Sequence, residues 1–246
     1  MYLEIKEGAV FIADAHENES TNAFWDFLKF VESGDIQTPQ LFLMGDMFDL
    51  LVGEVSFCAN LYAKYIELIE KISLHVEIYY LEGNHDFNLK DLFSNVKVVK
   101  IESQPLACSL PNGQKMLLLH GDKYGDTLHN IFTCIIRNST FLSFLNVVDK
   151  AMDGYISKKI KSNQRNKKLC EKIADFRTKV EQKLSRYDLN NISLVAEGHY
   201  HQNSVLSFEK VRYINFSSFA CNQSYFIVQS SQDAEFAQKQ LRGCNV

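Results

Sequence analysis

The stretch LFLMGDMFD (41–49) joins four apolar residues to Gly45, Asp46 and Asp49. A run so short and apolar reads as a strand covered on both faces. The glycine behind it lets the chain turn sharply and come close to a ligand. The same pattern recurs four times. AVFIA (9–13) runs into Asp14 and His16, and MLLL (116–119) into His120, Gly121 and Asp122. IYYL (78–81) is followed by Glu82 and then Gly83, Asn84, His85 and Asp86. SLVA (193–196) is followed by Glu197 and then Gly198, His199 and His201. Five of the seven histidines fall in these turns, so metal-ligand chemistry is concentrated there. His75 and His129 stand outside them and carry no role.

Helical spacing separates several of the runs. Phe24, Phe27, Leu28 and Val31 share one face, as do Leu61, Tyr65, Leu68, Ile69 and Ile72. Alternating strands and helices predict an α/β fold with parallel strands, whose C-terminal ends are where such folds build sites. After residue 203, VLSF, VRYINF and SYFIV follow closely and predict antiparallel strands completing a second sheet. Residues 124–190 break the alternation and read as one helical insertion. It has a Phe- and Ile-rich part (128–155) and a stripe of Leu169, Ile173, Phe176, Val180, Leu184 and Tyr187. The bland reading of the apolar part is a helical hairpin packed on itself.

The 246 residues carry a net charge of −4 and are 46% apolar, which fits one domain over 1–246 and excludes disorder, a coiled coil and a globally basic nucleic-acid binder. No run of 18 apolar residues exists to span a membrane. The six cysteines at 58, 108, 134, 170, 221 and 244 form no Cys-x-x-Cys pair and are expected to be buried, reduced thiols of a cytoplasmic protein.

Asp14/His16 and His199/His201 are i, i+2 pairs, which on extended backbone point the same way. Oxygen and imidazole donors without thiolate suit Mn²⁺, with Fe or Zn²⁺ also compatible. Asp14, His16, Asp46, Asn84, His120, His199 and His201 are too many ligands for one ion and enough for two divalent ions sharing a carboxylate. Taken singly, each motif has an ordinary structural reading as a turn, a cap or a core histidine. Five in order, each closing an apolar run, do not.

That order of Asp-x-His, Gly-Asp-x-x-Asp, Gly-Asn-His-Asp, His and Gly-His-x-His resembles the calcineurin-like metallophosphoesterases over about residues 9–122 and 193–205, with one residue of spacing different in the second block. The resemblance implies a four-layer αββα sandwich with a two-metal centre and a helical lid insertion. Asp14, His16 and His201 would hold one metal, and Asn84, His120 and His199 the other, with Asp46 bridging. His85 would sit beside the transferred phosphoryl group as the catalytic acid, with Asp86 orienting its ring. Asp49 and Asp122 would accept N–H groups of the ligands.

Residues 157–186 hold eleven Lys or Arg against three Asp or Glu. A basic, apolar helical lid fits a phosphate head carrying acyl chains. Such an insertion resembles that of the UDP-2,3-diacylglucosamine pyrophosphatases of lipid A biosynthesis, and KKIKSNQRNKKL (158–169) is loosely similar to a basic stretch in one such class. The resemblance implies cleavage to UMP and 2,3-diacylglucosamine 1-phosphate (lipid X), with peripheral contact at the inner membrane surface and no nucleic-acid partner. Lys161, Arg165 and Lys168, with Asn84, are the expected substrate contacts. That class has Arg where this chain has His85. A soluble phosphodiesterase or phosphatase acting on nucleotides or phosphoproteins is the alternative. A nuclease and a non-catalytic scaffold are further readings.

Overall fold

A computed structural model describes residues 2–123, 135–165, 169–229 and 235–241. Along the chain run β1 Leu3–Glu4, β2 Val10–Ile12, α1 Ala23–Ser33, β3 Gln40–Leu43, β4 Leu51–Val52, α2 Ser56–Leu61, α3 Ala63–Ser73 and β5 Glu77–Leu81. Then come β6 Asp86–Phe87, β7 Lys97–Val99, β8 Leu106–Ser109, β9 Lys115–Leu119, α4 Ser139–Ala151, α5 Tyr155–Arg165 and α6 Phe176–Leu184. The remainder is β10 Leu194–Glu197, β11 Ser204–Ser207, β12 Arg212–Asn215, α7 Phe219–Asn222, β13 Ser224–Val228 and β14 Phe236–Gln240.

One six-stranded sheet has the order β14-β13-β2-β3-β5-β7, the other β1-β8-β9-β10-β12-β11, and β4 pairs with β6 in a short ribbon. The first three apolar runs of the sequence are the parallel strands β2, β3 and β5; the last two are the parallel neighbours β9 and β10. Period-two alternation splits each strand's side chains between two interfaces. Phe11, Phe42 and Leu81 meet Met116, Leu118 and Ile214 between the sheets. Phe11 lies parallel to Phe42 with ring centroids 4.3 Å apart. Ile12, Leu43 and Tyr80 face outward onto α1 and α3, whose stripes of Phe24, Phe27, Leu28, Val31, Tyr65, Leu68, Ile69 and Ile72 are all buried. Leu117, Val195 and Tyr213 face outward onto Phe176, Val180 and Leu184 of α6. The αββα sandwich expected from the sequence is therefore present.

Two expectations about element roles change. SYFIV (224–228) does not extend the second sheet: it is β13, antiparallel to β2 in the first. The chain crosses over through α7, whose Phe219 is fully buried against Phe27. The insertion is not a single lid either. Its stripe at 176–187 is the outermost layer of the sandwich, covering the second sheet. Among the described residues of the insertion, α4 and α5 are the helices that stand over the strand ends. Asp149 caps α5, accepting from Ile156 N (2.9 Å) and Ser157 Oγ (2.5 Å), and so closes the α4–α5 hairpin. Asn146 Oδ1 ties α4 to Ser56 N at 3.1 Å. No helix among the described residues is long and apolar enough to cross a membrane.

The cysteine expectation is corrected in part. Cys58 and Cys108 are buried free thiols, but Cys170 and Cys221 form a disulfide. Cys170 is exposed, so burial does not shield it from pairing. Cys134 and Cys244 lie outside the described residues.

Candidate metal centre

The C-terminal ends of β2, β3, β5, β9 and β10 converge, and their side chains fall into overlapping clusters: Asp14, His16 and His201; Asp46, His120 and His199; and His16, Asp46 and His85, with Asp46 common to the last two. His201 Nε2 lies 3.2 Å from Asp14 Oδ1 and 3.4 Å from His16 Nε2. His120 Nε2 lies 3.4 Å from both Asp46 Oδ2 and Asn84 Oδ1. All seven predicted ligand residues are thus brought together. His85 also joins the cluster, its ring edge-on to His16 with centroids 5.0 Å apart.

Backbone strain accompanies this convergence. Asp14, His16, Asp46, His199 and His201 all have positive φ, between 44° and 63°. Left-handed backbone costs a non-glycine residue about 1 kcal/mol or more and persists only where surrounding structure imposes it. The pairs Asp14/His16 and His199/His201 therefore meet through paired left-handed residues, not through the extended pleat expected from their spacing. Neighbouring bonds hold the turns: His199 N donates to both Asp14 oxygens at 3.0 Å, and Ser218 Oγ to Asp14 O at 2.8 Å. Gly45 (φ 86°) is required sterically, because a Cβ there would stand 2.6 Å from His120 Nδ1.

The donor chemistry fits divalent cations. His120 Nδ1 donates to Met44 O (2.8 Å) and His201 Nδ1 to Leu169 O (2.6 Å), since a carbonyl can only accept. In its neutral form each ring aims a bare Nε2 lone pair at carboxylate or amide oxygen. Acceptors facing acceptors call for a cation between them. On His120 a proton answers the same demand. Burial alone would lower the His120 imidazole, but Asp46 outweighs it and holds it well above its ordinary value. Asp46, despite burial that would raise it, is held well below the usual carboxylate range by His120, His85 and His16. Burial lowers His16 to about 4, so it stays neutral and ready to ligate.

Around this centre the sequence reading needs revision. Asp86 does not orient His85. Its oxygens accept from Asp46 N (2.8 Å), Met47 N (2.7 Å), Gly83 N (3.0 Å) and Tyr80 OH (2.7 Å), which fixes the two ligand turns against each other. His85 Nδ1 bonds instead to the Asp49 carbonyl at 2.9 Å. The carboxylate of Asp49 stands 3.9 Å from His16 Nδ1, too far for a hydrogen bond. Asp122 pairs with Arg137 (3.3 Å) and not with a histidine. Lys161 is buried and turned toward Glu19 Oε1 at 2.5 Å, with Tyr62 beneath it. It remains close enough to Asp49 to lower that carboxyl, which burial nonetheless raises to about 6. His75 is exposed in the turn between α3 and β5 and takes no part in this chemistry. His129, Lys168 and the side chain of Arg165 lie outside the described residues.

Sequence reasoning missed Arg137. It donates to Gly83 O (2.7 Å), Asp122 Oδ2 (3.3 Å) and Glu82 Oε2 (3.4 Å). A lone arginine inside the apolar stretch 131–148 was the available signal. It also missed Lys183 and Glu197, a buried pair at 2.7 Å joined by Tyr187 and Tyr213.

Two cavities flank the cluster. One, of about 390 Å³, is mainly apolar and lies beneath α4 and α5; Leu50, Val52, Leu142 and Ile156 line it, with Asn84 and Arg137 at the cluster side. The other, about 560 Å³ and polar, runs past His16 and Asp49 to Asn18, Asn22 and Gln223. Gln164 borders both.

A rigid sandwich carrying clustered His, Asp and Asn at its strand ends defines a metal-dependent hydrolase. Residues 9–203 match the family model described as calcineurin-like phosphoesterase. The chain belongs to that family. Among curated proteins it is similar to UDP-2,3-diacylglucosamine hydrolase of Blochmanniella floridana, 25% identical over 87% of this chain and 88% of that one. The protein of the same name from Vibrio cholerae is 22% identical over 81% and 84%. Among solved structures it is similar to Yfce, a phosphoesterase from E. coli, at 14% identity, with a TM-score of 0.45 over 94% of this chain and 98% of that one.

Proposed function

We propose that this chain hydrolyses the pyrophosphate of UDP-2,3-diacylglucosamine, releasing UMP and 2,3-diacylglucosamine 1-phosphate, at the inner membrane surface. The observation that carries the reading is the apolar cavity beneath α4 and α5, which opens beside Asn84 and Arg137. A water-soluble nucleotide or phosphopeptide has no use for such a chamber next to the reacting centre; acyl chains do. The names of the similar curated proteins agree with it.

Asp14, His16 and His201 would hold one divalent ion, and Asn84, His120 and His199 the other, with Asp46 shared. Mn²⁺ suits this mixed oxygen and imidazole set. When bound, the pair supplies Lewis acidity to the phosphoryl oxygens and activates water at neutral pH. Arg137, fixed by Gly83 O and Asp122, presents its remaining charge to the phosphates beside Asn84. His85, held through Nδ1 by Asp49 O, supplies a proton to the departing phosphate oxygen. Hydrolysis adds one water across the P–O–P link, hydroxyl to one phosphorus and hydrogen to the leaving oxygen.

The test is a panel of UDP-2,3-diacylglucosamine, UDP-N-acetylglucosamine and bis(p-nitrophenyl) phosphate with Mn²⁺ and the full chain. UMP release from the acylated substrate should exceed that from the unacylated one by about 100-fold or more, as burial of many methylenes implies. Equal turnover of both would remove the lipid and leave a soluble phosphodiesterase.

A further inference from the structure

The polar cavity beside His16 and Asp49 holds three buried acceptor atoms without a hydrogen-bond partner in the protein, Asp49 Oδ2, Gln164 Oε1 and Gln223 Oε1, together with the unpartnered Nδ1–H of His16, whose Nε2 faces the metal cluster. Buried acceptors left unmade cost roughly 1–3 kcal/mol each, so native proteins rarely leave several around one space unless a ligand or ordered water supplies donors there. Two come from carboxamides, which carry N–H beside C=O and so match the donor–acceptor edge of a cyclic imide. They come from different elements: Gln164 from α5, Gln223 from the left-handed turn that ends α7. Leu169 and Ala220 add apolar wall between them, and each precedes one half of the Cys170–Cys221 disulfide.

Resting on the lipid pyrophosphatase reading, we propose that this cavity is the nucleoside subsite, with Gln164 and Gln223 taking the N3–H edge of a uracil ring and Asp49 facing its ribose hydroxyls. The two halves of the substrate then lie in neighbouring cavities, the acyl half beyond Asn84 and the nucleoside half beyond His16. The volume of about 560 Å³ accommodates a pyrimidine nucleoside. Gln164, which borders both cavities, marks the partition between them.

The experiment is calorimetric titration of the Mn²⁺-loaded full chain with UMP, 3-methyl-UMP, ribose 5-phosphate and inorganic phosphate. UMP should bind about tenfold or more tightly than ribose 5-phosphate, and 3-methylation should erase that advantage, because it removes the one imide donor. Gln164→Leu and Gln223→Leu should each weaken UMP by about tenfold while moving phosphate less than about twofold. UMP binding no tighter than phosphate overturns the proposal, as does tight UMP binding unmoved by both variants and by 3-methylation. Should either variant fail to fold, the methylated ligand decides with the parent protein alone. Specific UMP binding in a protein that leaves UDP-2,3-diacylglucosamine intact keeps the subsite and removes the lipid; lipid cleavage with no preference for UMP does the reverse.

Discussion

Replacing Lys183 with Met tests whether the outer helix supports the metal centre through a buried charge. Lys183 Nζ donates to Glu197 Oε2 at 2.7 Å and to Gly121 O at 2.5 Å, and Glu197 is fully buried. Gly121 follows His120, and Glu197 stands two residues before His199. Burial alone would lower the Lys183 ammonium, but Glu197 outweighs it and holds the amine above its ordinary value. Removing one partner of such a pair costs about 3–5 kcal/mol, because the other is left charged in the core. The hydroxyls of Tyr187 (2.7 Å) and Tyr213 (3.0 Å) still donate to Glu197, which places the loss near the lower end. For a chain of this size that is a fall in Tm of about 6–12 °C. An amine raised in the folded state contributes fully below its unfolded value of 10.5 and loses that contribution only as pH rises through the folded value, so the deficit should stay constant across the neutral range. Urea unfolding of Lys183→Met, Glu197→Gln and the double variant measures it. The double variant should recover about 2 kcal/mol relative to the sum of the singles. A single-variant loss below about 1 kcal/mol, or strict additivity, would refute the strut.

Asp46→Ala should abolish turnover and leave less than half of the bound metal by elemental analysis, since Asp46 is common to two of the three ligand clusters; activity near the parent's would disprove the shared carboxylate. Asp86→Asn keeps the size of the brace but turns one acceptor into a donor facing the Asp46, Met47 and Gly83 amides. It should lower metal affinity about 10–100-fold in competition with a chelator. Arg137→Ala should reduce kcat/KM on the pyrophosphate substrate by about 100-fold, measured by UMP release, whereas metal content should be unchanged. Reducing the Cys170–Cys221 bond, which closes a loop of 51 residues, should cost up to about 4 kcal/mol of unfolding free energy, read with and without dithiol.

Much of this site could be read in advance because each group of ligands lies within a few residues of the end of an apolar run, and the end of a buried parallel strand opens into the strand-end crevice. That placed Asp14, His16, Asp46, Asn84, His120, His199 and His201 together without any knowledge of the turns. What fails is the local geometry. An i, i+2 rule assumes extended backbone, yet all four residues of the two pairs, and Asp46 as well, have positive φ, which the residue types alone do not announce. Asp86 fails for a related reason: a carboxylate next to a histidine in sequence has several N–H groups competing for it in space, and three converge here.

The insertion shows the opposite limit. Its basic residues looked like one phosphate-facing surface, yet helical phase sends them to different fates. Lys183 is spent inside the sandwich, Lys161 is buried on Glu19, and an arginine that does reach the cluster side among the described residues is Arg137, from the apolar segment. Net charge over a segment counts all of these alike. The outer stripe at Phe176, Val180 and Leu184 obeys the same logic as α1 and α3, because an exposed sheet face of Leu117, Val195 and Tyr213 must be covered by some helix, and the insertion supplies it. One segment therefore serves two ends. Its C-terminal helix completes the sandwich that holds the ligand turns rigid, while α4 and α5, freed from that duty, are left to shape the apolar chamber. Excising the whole insertion would expose the second sheet and unfold the metal centre with it; excising 139–165 alone removes the chamber and spares the covering helix. A shortened protein that still binds metal and cleaves bis(p-nitrophenyl) phosphate but no longer prefers the acylated nucleotide would assign substrate choice to α4 and α5. Loss of metal binding in that protein would mean that the two helices are part of the scaffold after all.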